Sequence, residues 1–213
     1  MQYPMNVELS GRRCVVLGGG PVACRKARTL RQAGASVLVI APEISGELQE
    51  AAEKGDIEWR RACYEQGCLA GSFLVICATN DAEANRRAVE EARQEGILVN
   101  APAQPGLSDF SVPASFRRGN LLVAVSTGNL SPAFSRALRK RLEREFPPAL
   151  GEWLERLHVL REEARAVFPG SREREEFWRK AMDDHVLDLV RAGRMDQAEV
   201  ELRHAIDGNR AEP

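Results

Sequence analysis

A glycine-rich turn near the start of the chain limits its possible folds more than any other feature. An apolar run at residues 14–17 leads into GGGPVA at residues 18–23, and apolar residues then recur at helical spacing. The spacing GxGxxA between a strand and a helix is a form of the dinucleotide-binding fingerprint. Such a turn lets backbone approach a pyrophosphate, and the helix N-terminus offers it free amides. The pattern predicts dinucleotide binding through Gly18, Gly20, Pro21 and Val22; a turn without a ligand is the alternative.

The remainder of the first half alternates strand and helix patterns. Apolar runs follow at residues 37–41, 73–78 and 97–100, with a weaker run, typical of an edge strand, at residues 57–59. Residues 82–95 have helical spacing, with Asn80 or Asp81 as the N-cap and Gly96 as the stop. Continuous apolar strands separated by helices are typical of a parallel sheet covered on both faces. The fold class is therefore α/β, with a Rossmann-like domain over residues 1–112.

The pattern changes near residue 109. Strands are predicted at residues 109–114 and 121–126, with the intervening turn at 117–120. A helix follows, with Ser131 as its cap and Pro132 at its first position, and it ends at Pro147-Pro148. Two strands and one helix are too few to close a core. We therefore predict that residues 113–147 form a small α+β dimerisation domain and that the protein is a homodimer.

The last third of the chain is charged and has helical periodicity, with breaks at Pro169-Gly170 and Gly193. It is predicted to form a C-terminal helical domain over residues 148–213. Its three histidines are too scattered along the sequence for a metal triad, so no metal site is predicted.

Composition excludes several classes of protein. The net charge of -1, from 30 Lys+Arg and 31 Asp+Glu, disfavours a generally basic nucleic-acid-binding protein. No apolar run reaches about 18 residues, so no membrane-spanning helix is expected. The 5 cysteines include no CxxC pair, which disfavours a disulfide scaffold or a zinc site and indicates a reduced, cytoplasmic protein.

The choice between NAD and NADP depends on the end of the second strand. An acidic residue is expected there to bind the ribose 2′-hydroxyl. The strand ends at Ala41, so Glu43, or the backbone at Pro42 and Glu43, would take this role. No arginine follows directly to pair a 2′-phosphate, which favours NAD while leaving NADP open. Thr79 and Asn80 follow the fourth strand at the same sheet edge, where they would bind cofactor, cap a helix, or do both.

Several segments together resemble one family. They are GGGPVACRKA at 18–27, LVICATND at 74–81, FSVPA at 110–114, RGNLLVAVSTGNLSP at 118–132, AFSRALRKRLE at 133–143 and REREEFWRKAM at 172–182. This combination resembles the precorrin-2 dehydrogenase/sirohydrochlorin ferrochelatase family, the N-terminal module of bacterial siroheme synthase. The resemblance implies an oxidoreductase that uses NAD to oxidise precorrin-2 to sirohydrochlorin, and a homodimer with intertwined central domains. Some members also insert ferrous iron.

The second half of the chain contains basic and polar residues suited to binding a substrate with several carboxylates. Precorrin-2 carries several carboxylates, and a helix with basic residues at three- and four-residue spacing can bind them. Arg136 and Arg139 are the candidates on that helix, which also carries Lys140 and Arg144. By resemblance, the loop with Ser126 and Thr127 borders the tetrapyrrole cleft, and the helix N-terminus at Ser131 adds an anion site. A solvated basic helix face is the alternative for the basic residues, and a hydrogen bond at the strand end is the alternative for Ser126.

The sequence departs from the family at one position that matters for metal insertion. Bifunctional members carry an aspartate in a segment of the form Asn-Val-x-Asp-x-Pro, and here Ala103 stands in its place. The departure predicts weak or absent ferrochelatase activity and a separate chelatase. Asp109, the nearest remaining carboxylate, is the candidate catalytic group, and an acid that faces solvent at the start of a strand is the alternative for this residue. A bifunctional enzyme that uses Asp109 is one alternative function. A non-catalytic NAD-sensing Rossmann module is the alternative of another class.

Overall fold

The computed structural model describes residues 2–209 and divides into two compact units, with the boundary between Val112 and Pro113. The first unit is a parallel sheet with helices on both faces. Its strands are β1 (Arg13–Leu17), β2 (Ser36–Ile40), β3 (Glu58–Arg60), β4 (Leu74–Cys77) and β5 (Leu98–Asn100). Its helices are α1 (Pro21–Gln32), α2 (Gly46–Glu53) and α3 (Ala82–Gln94). The α/β, Rossmann-like fold class predicted from the sequence is confirmed.

The sheet order β3-β2-β1-β4-β5 creates a crevice between β1 and β4. The chain runs outward from β1 through β2 to β3 and then crosses to β4 and β5 on the other side. Ligands of open α/β sheets bind outside the carboxyl ends of the strands at such a switch point. Leu17, the last residue of β1, pairs with both Ile40 and Cys77, so the glycine turn starts at this position.

Side chains of β1 enter two separate cores, which explains the unbroken apolar run. Val15 and Leu17 pack on one face of the sheet with residues of α3, whereas Cys14 and Val16 pack on the other with residues of α1. Because both faces are covered, no position in the strand's centre is open to a polar residue.

A buried carboxylate ties the loop between β3 and β4 to α3. Glu91 is 5% exposed, accepts a hydrogen bond from Tyr64 Oη at 2.6 Å, and accepts another from the Leu69 amide at 3.1 Å. Burial and the neighbouring Glu91 carboxylate raise the pKa of Tyr64 well above its usual range, so the phenol remains the donor.

The strand predicted at residues 109–114 is wrong. This segment runs beside β5, but only the Asp109 amide makes a backbone bond to it, to the Val99 carbonyl. The other two bonds use side chains: the Val99 amide donates to Asp109 Oδ2, and Asn100 Nδ2 donates to the Phe110 carbonyl. Pro113 lacks an amide donor for a ladder. The strand β6 instead spans Ala114–Arg118, which includes residues expected in the turn.

The second unit joins a hairpin and a helix to four further helices. β6 pairs antiparallel with β7 (Leu121–Val125) across a two-residue turn at Gly119-Asn120. The helices are α4 (Pro132–Glu145), α5 (Leu150–Val167), α6 (Ser171–Ala181), α7 (Asp184–Arg191) and α8 (Met195–Asp207). Of the two candidate caps of α3, Asn80 and Asp81, the structure has Asp81. The cap predicted at Ser131 is confirmed, as are the helix breaks after α5 and α7. A further break after α6, where Asp183 caps α7 through the Val186 amide, was not predicted.

The hairpin and the C-terminal helices share a core, so the structure shows no separate core for residues 113–147. Leu121 and Phe146 pack against the cluster formed by Trp153, Leu160 and their neighbours on α5, α7 and α8. Gly119 lies against Gly151, and a Cβ on Gly119 would lie 2.8 Å from the Gly151 Cα. The three-domain division itself stays a prediction. Within the described residues no helix is long and apolar enough to cross a membrane.

The cysteines are all free and differ sharply in exposure: Cys63 is exposed, Cys68 is half-buried, and Cys14, Cys24 and Cys77 are buried. Burial raises the pKa of Cys14 to about 11 and that of Cys77 to about 12. Because the thiolate is the reactive form, we expect Cys63 to react first with a chromogenic thiol reagent at pH 8. The buried thiols should react only after denaturation. Fast labelling of three or more thiols in the native protein would contradict this arrangement.

Candidate functional site

The glycine turn is the centre of the candidate cofactor site in the first unit. The Gly18 amide donates to the Ile40 carbonyl and the Ala78 amide to the Leu17 carbonyl, each at 2.9 Å, so the turn joins the ends of β2, β1 and β4. Gly18 has φ +109°, and a Cβ there would lie 2.5 Å from the Ala78 carbonyl oxygen. Only glycine fits both the backbone conformation and the contact.

Gly19 is a functional position that the sequence analysis missed. A Cβ at Gly19 would overlap the Glu43 carbonyl oxygen, and the Ser45 amide donates to the Gly19 carbonyl at 3.0 Å. The β2–α2 loop is therefore docked directly on the turn. The fingerprint leaves the residue between its first two glycines open, so nothing in the motif indicated this contact.

Gly20 faces open space. It is the N-cap of α1 with φ -80°, and no atom lies within 4 Å of the position of a Cβ. No side chain caps the helix, Pro21 occupies its first position, and Val22 is exposed. The N-terminal amides and the positive end of the helix dipole therefore face the open space in front of Gly20. This arrangement suits the pyrophosphate of a dinucleotide.

The end of β2 carries the two residues predicted to meet the ribose. Pro42 and Glu43 are exposed, and β3 supports this strand end from the side. Trp59 Nε1 donates to the Ala41 carbonyl at 3.0 Å, and Arg61 Nε donates to the Pro42 carbonyl at 3.3 Å. No arginine follows β2 in the sequence, but the fold brings Arg61 to this position from the neighbouring strand.

The turn after β4 is held by a buried asparagine that the sequence analysis also missed. Asn85 is 3% exposed; its Oδ1 accepts from the Thr79 amide at 3.3 Å, and its Nδ2 donates to the Thr79 carbonyl at 3.0 Å. Asp81, and not Asn80, caps α3. Thr79 therefore has a fixed backbone at the edge of the crevice, while Asn80 is exposed beside it. Only its position on the first turn of α3 could have suggested Asn85.

The segment after β5 contains Ala103 and Asp109. Ala103 is exposed, so its position has room for a larger side chain. Asp109 accepts the Val99 amide at 3.0 Å through Oδ2, and its Oδ1 lies 3.9 Å from Arg93 Nε. The carboxylate therefore braces the edge of β5, two strand spacings of about 4.8 Å from β1. No group of three potential metal ligands occurs among residues 2–209.

The remaining candidates lie in the second unit, around the start of α4. Thr127 Oγ1 lies 3.0 Å from Ser135 Oγ and accepts from the Ser131 amide at 3.1 Å, while Ser131 Oγ accepts from the Phe134 amide. Ser126 Oγ accepts from the Gly128 amide at 3.2 Å. This network orders the loop that presents Leu130, 90% exposed, at its tip.

The basic residues of α4 are not equivalent. Arg139 pairs with Glu143 one turn later, and the same carboxylate lies 3.7 Å from Arg118, so the charge of Arg139 is compensated in part. Arg136, Lys140 and Arg144 have no ion-pair partner in the described part of the chain and follow one another at four-residue spacing. Their spacing places them along one stripe of the helix, whereas Phe134, 60% exposed, lies two residues before Arg136 and so on another side of the first turn.

Comparisons with known proteins agree with this geometry. Residues 5–114 match a family model described as putative NAD(P)-binding, and residues 149–206 match one described as the sirohaem synthase dimerisation region. Siroheme synthases from Nitrosococcus oceani and Chromobacterium violaceum are each 38% identical to this chain, over 98% and 97% of its length. The chain spans only 45% and 44% of these relatives. The solved structure of SirC, a precorrin-2 dehydrogenase, matches with a TM-score of 0.75 and 25% identity over 98% of both chains.

The fold and the glycine turn define a Rossmann-type protein whose cofactor is a nicotinamide dinucleotide. The chain belongs to the putative NAD(P)-binding family of the first model, and over nearly its whole length it is similar to siroheme synthases and to the precorrin-2 dehydrogenase SirC. The resemblance predicted from the sequence motifs is confirmed. The region named for dimerisation corresponds to α5 through most of α8, whereas the sequence analysis assigned dimerisation to residues 113–147.

Proposed function

We propose that this chain catalyses the NAD-dependent oxidation of precorrin-2 to sirohydrochlorin in siroheme synthesis. The observation that carries the proposal is the glycine turn, where Gly20 leaves open space in front of an uncapped helix N-terminus. Similarity to SirC and to siroheme synthases supports the choice of substrate. Precorrin-2 loses two hydrogens in this reaction, one as a hydride with its electron pair and one as a proton. The nicotinamide cofactor supplies the hydride acceptor when it is bound.

The residues of the first unit bind and orient the cofactor. The backbone of Gly20 and the amides at the start of α1, including that of Val22, meet the pyrophosphate, and Gly18 and Pro21 set the turn. Thr79 and Asn80 line the crevice after β4. We infer that NAD is used, because Glu43 is exposed beside the turn and a carboxylate there accepts hydrogen bonds from a ribose diol.

The start of α4 binds the substrate. The macrocycle has apolar faces and a rim of carboxylates, and the start of α4 offers both exposed apolar side chains and a basic stripe. Phe134 with Leu130 supplies the apolar part, and Arg136 and Lys140 supply the charge. Ser126, Thr127 and Ser131 form the polar loop at the helix start. Arg139 contributes less than the sequence suggested, because it is held in an ion pair with Glu143.

Metal insertion is assigned to a separate chelatase. Ala103 cannot accept the pyrrole protons that leave as a metal ion enters, and Asp109 is engaged by Val99 and Arg93. These contacts argue against the bifunctional alternative. Similarity to the precorrin-2 dehydrogenase SirC over 98% of both chains argues against a non-catalytic NAD sensor. The five free cysteines support activity in the reducing cytoplasm.

The reaction itself is the direct test. Anaerobic incubation of the protein with precorrin-2 and NAD should produce the absorbance spectrum of sirohydrochlorin together with equimolar NADH. Omission of NAD should abolish both signals, and the Arg136→Ala and Lys140→Ala variants should raise KM with little change in kcat. Absence of NADH formation with intact precorrin-2 would refute the proposed activity.

The homodimer is expected from the surface of the second unit. In α4 only Ser135 is buried, and the two-stranded β6–β7 hairpin has no third strand to cover its edges among the described residues. A two-stranded sheet with both edges open is marginally stable in water. Light scattering at micromolar concentration should therefore give twice the chain mass of 23.6 kDa. A monomeric mass would contradict the prediction.

A further inference from the structure

Arg61 places an unpaired positive charge beside the end of β2. β3 pairs with β2 up to Arg60, and the Ala41 amide donates to the Arg60 carbonyl at 3.2 Å, so Arg61 follows directly after the last paired residue. Its Nε donates to the Pro42 carbonyl at 3.3 Å, which tethers the guanidinium at the strand end. Within residues 2–209 its terminal nitrogens have no hydrogen-bond or ion-pair partner, and the residue is exposed.

The segment that Arg61 touches is docked on the phosphate-binding turn. The Ser45 amide donates to the Gly19 carbonyl, and the Glu43 carbonyl lies against Gly19. In a Rossmann domain the adenosine ribose binds at the end of β2. An acidic residue there accepts a hydrogen bond from the 2′-hydroxyl of NAD, whereas a nearby arginine binds the 2′-phosphate of NADP. This chain has both groups, Glu43 from the loop and Arg61 from the adjacent strand.

We propose that Arg61 forms a subsite for the 2′-phosphate of NADP, so that the cofactor cleft accepts NADP as well as NAD. The inference rests on the proposed function for the presence of a dinucleotide in the cleft. A guanidinium binds phosphate through charge-assisted hydrogen bonds. The terminal N–H donors of Arg61 are free to bind an anionic ligand in this way. Glu43 opposes the phosphate by charge repulsion, so we expect affinities for NADP and NAD within about tenfold of each other.

Calorimetric titration of the full chain with NAD and with NADP tests the subsite. The Arg61→Ala variant should weaken NADP binding by about 10- to 100-fold, the usual effect of losing a hydrogen bond to a charged group, and change NAD binding less than about threefold. Arg60→Ala is the matched control, because it removes the same charge from the preceding residue, which is the last of β3 and whose side chain makes no hydrogen bond to Pro42. Arg61→Lys should retain part of the NADP affinity, and Glu43→Gln should strengthen NADP relative to NAD.

The possible outcomes separate the subsite from the cofactor site as a whole. Wild-type binding of NAD but not NADP would overturn the subsite and leave the proposed function intact. Equal losses of both cofactors in Arg61→Ala would also overturn it, since they would mean that Arg61 only supports the loop through Pro42. Failure to bind either cofactor would refute the cofactor part of the proposed function and the subsite with it. Selective loss of NADP, with Arg60→Ala unchanged, supports the proposal.

Discussion

The Gly20→Asp variant should fold as well as the wild type and lose its nicotinamide cofactor. Gly20 has φ -80°, a value open to any residue, and a Cβ there meets no atom within 4 Å. Aspartate is a preferred N-cap, so its carboxylate will accept hydrogen bonds from the first amides of α1. The side chain thereby occupies the anion site and repels the pyrophosphate. We expect at least a 100-fold loss of NAD affinity, equivalent to about 3 kcal/mol, by calorimetric titration.

Two further glycine variants separate binding from folding. Gly106→Asp adds the same charge at another glycine with open space around its Cβ position and should leave cofactor affinity unchanged. Gly18→Ala should lower the melting temperature, because it combines φ +109° with a contact of 2.5 Å to the Ala78 carbonyl. Unchanged NAD affinity in Gly20→Asp would refute the assignment of the turn as the pyrophosphate site.

The wild-type protein should oxidise precorrin-2 but insert ferrous or cobalt ion into sirohydrochlorin no faster than the spontaneous reaction. Metallation removes two pyrrole protons, and a general base must lie within hydrogen-bond reach of the proton it takes. Ala103 offers no such base, and the Asp109 carboxylate is already bonded to the Val99 amide. Because Ala103 is exposed, Ala103→Asp should fold normally and raise the metallation rate about tenfold or more, with little change in dehydrogenation.

Ala103→Asn is the control for this experiment, since it has the same size as aspartate but cannot take a proton at neutral pH. Metallation by the wild type well above the spontaneous rate would contradict the dehydrogenase-only interpretation. In that event Asp109→Asn, checked for folding by circular dichroism, identifies whether Asp109 is the base. An Ala103→Asn rate equal to that of Ala103→Asp would show that the gain does not come from proton transfer.

The sequence predicted the strands and helix caps that are determined by residues adjacent along the chain. The apolar runs that became β1, β2, β4 and β5 were found because a strand buried on both faces excludes polar residues. The caps at Asp81 and Ser131 lay among the predicted ones because a short polar side chain just before a helical pattern can accept hydrogen bonds from the first-turn amides.

The residues that were missed act through specific contacts outside their own strand or helix, two of them distant in sequence and one, at Asn85, six residues away. Gly19 is restricted by the loop at Glu43, Arg61 reaches Pro42 from another strand, and Asn85 secures the backbone of Thr79. Periodicity carries no information on such pairs. The wrong strand at residues 109–114 has the same origin, because Asp109 and Asn100 replace ladder hydrogen bonds with side-chain ones that no alternation pattern reveals.

The attachment of the Leu69 amide to Glu91 has a consequence for local opening of the first unit. The connection between β3 and β4 contains no helix or strand, and segments of this kind usually exchange their amide protons quickly. Here the Leu69 amide bonds to a carboxylate that is itself buried, and Leu69 is completely buried. Releasing that amide to water requires α3 to separate from the loop. Its exchange should therefore report opening of the sheet's core, so that this irregular segment belongs to the slowest-exchanging part of the unit.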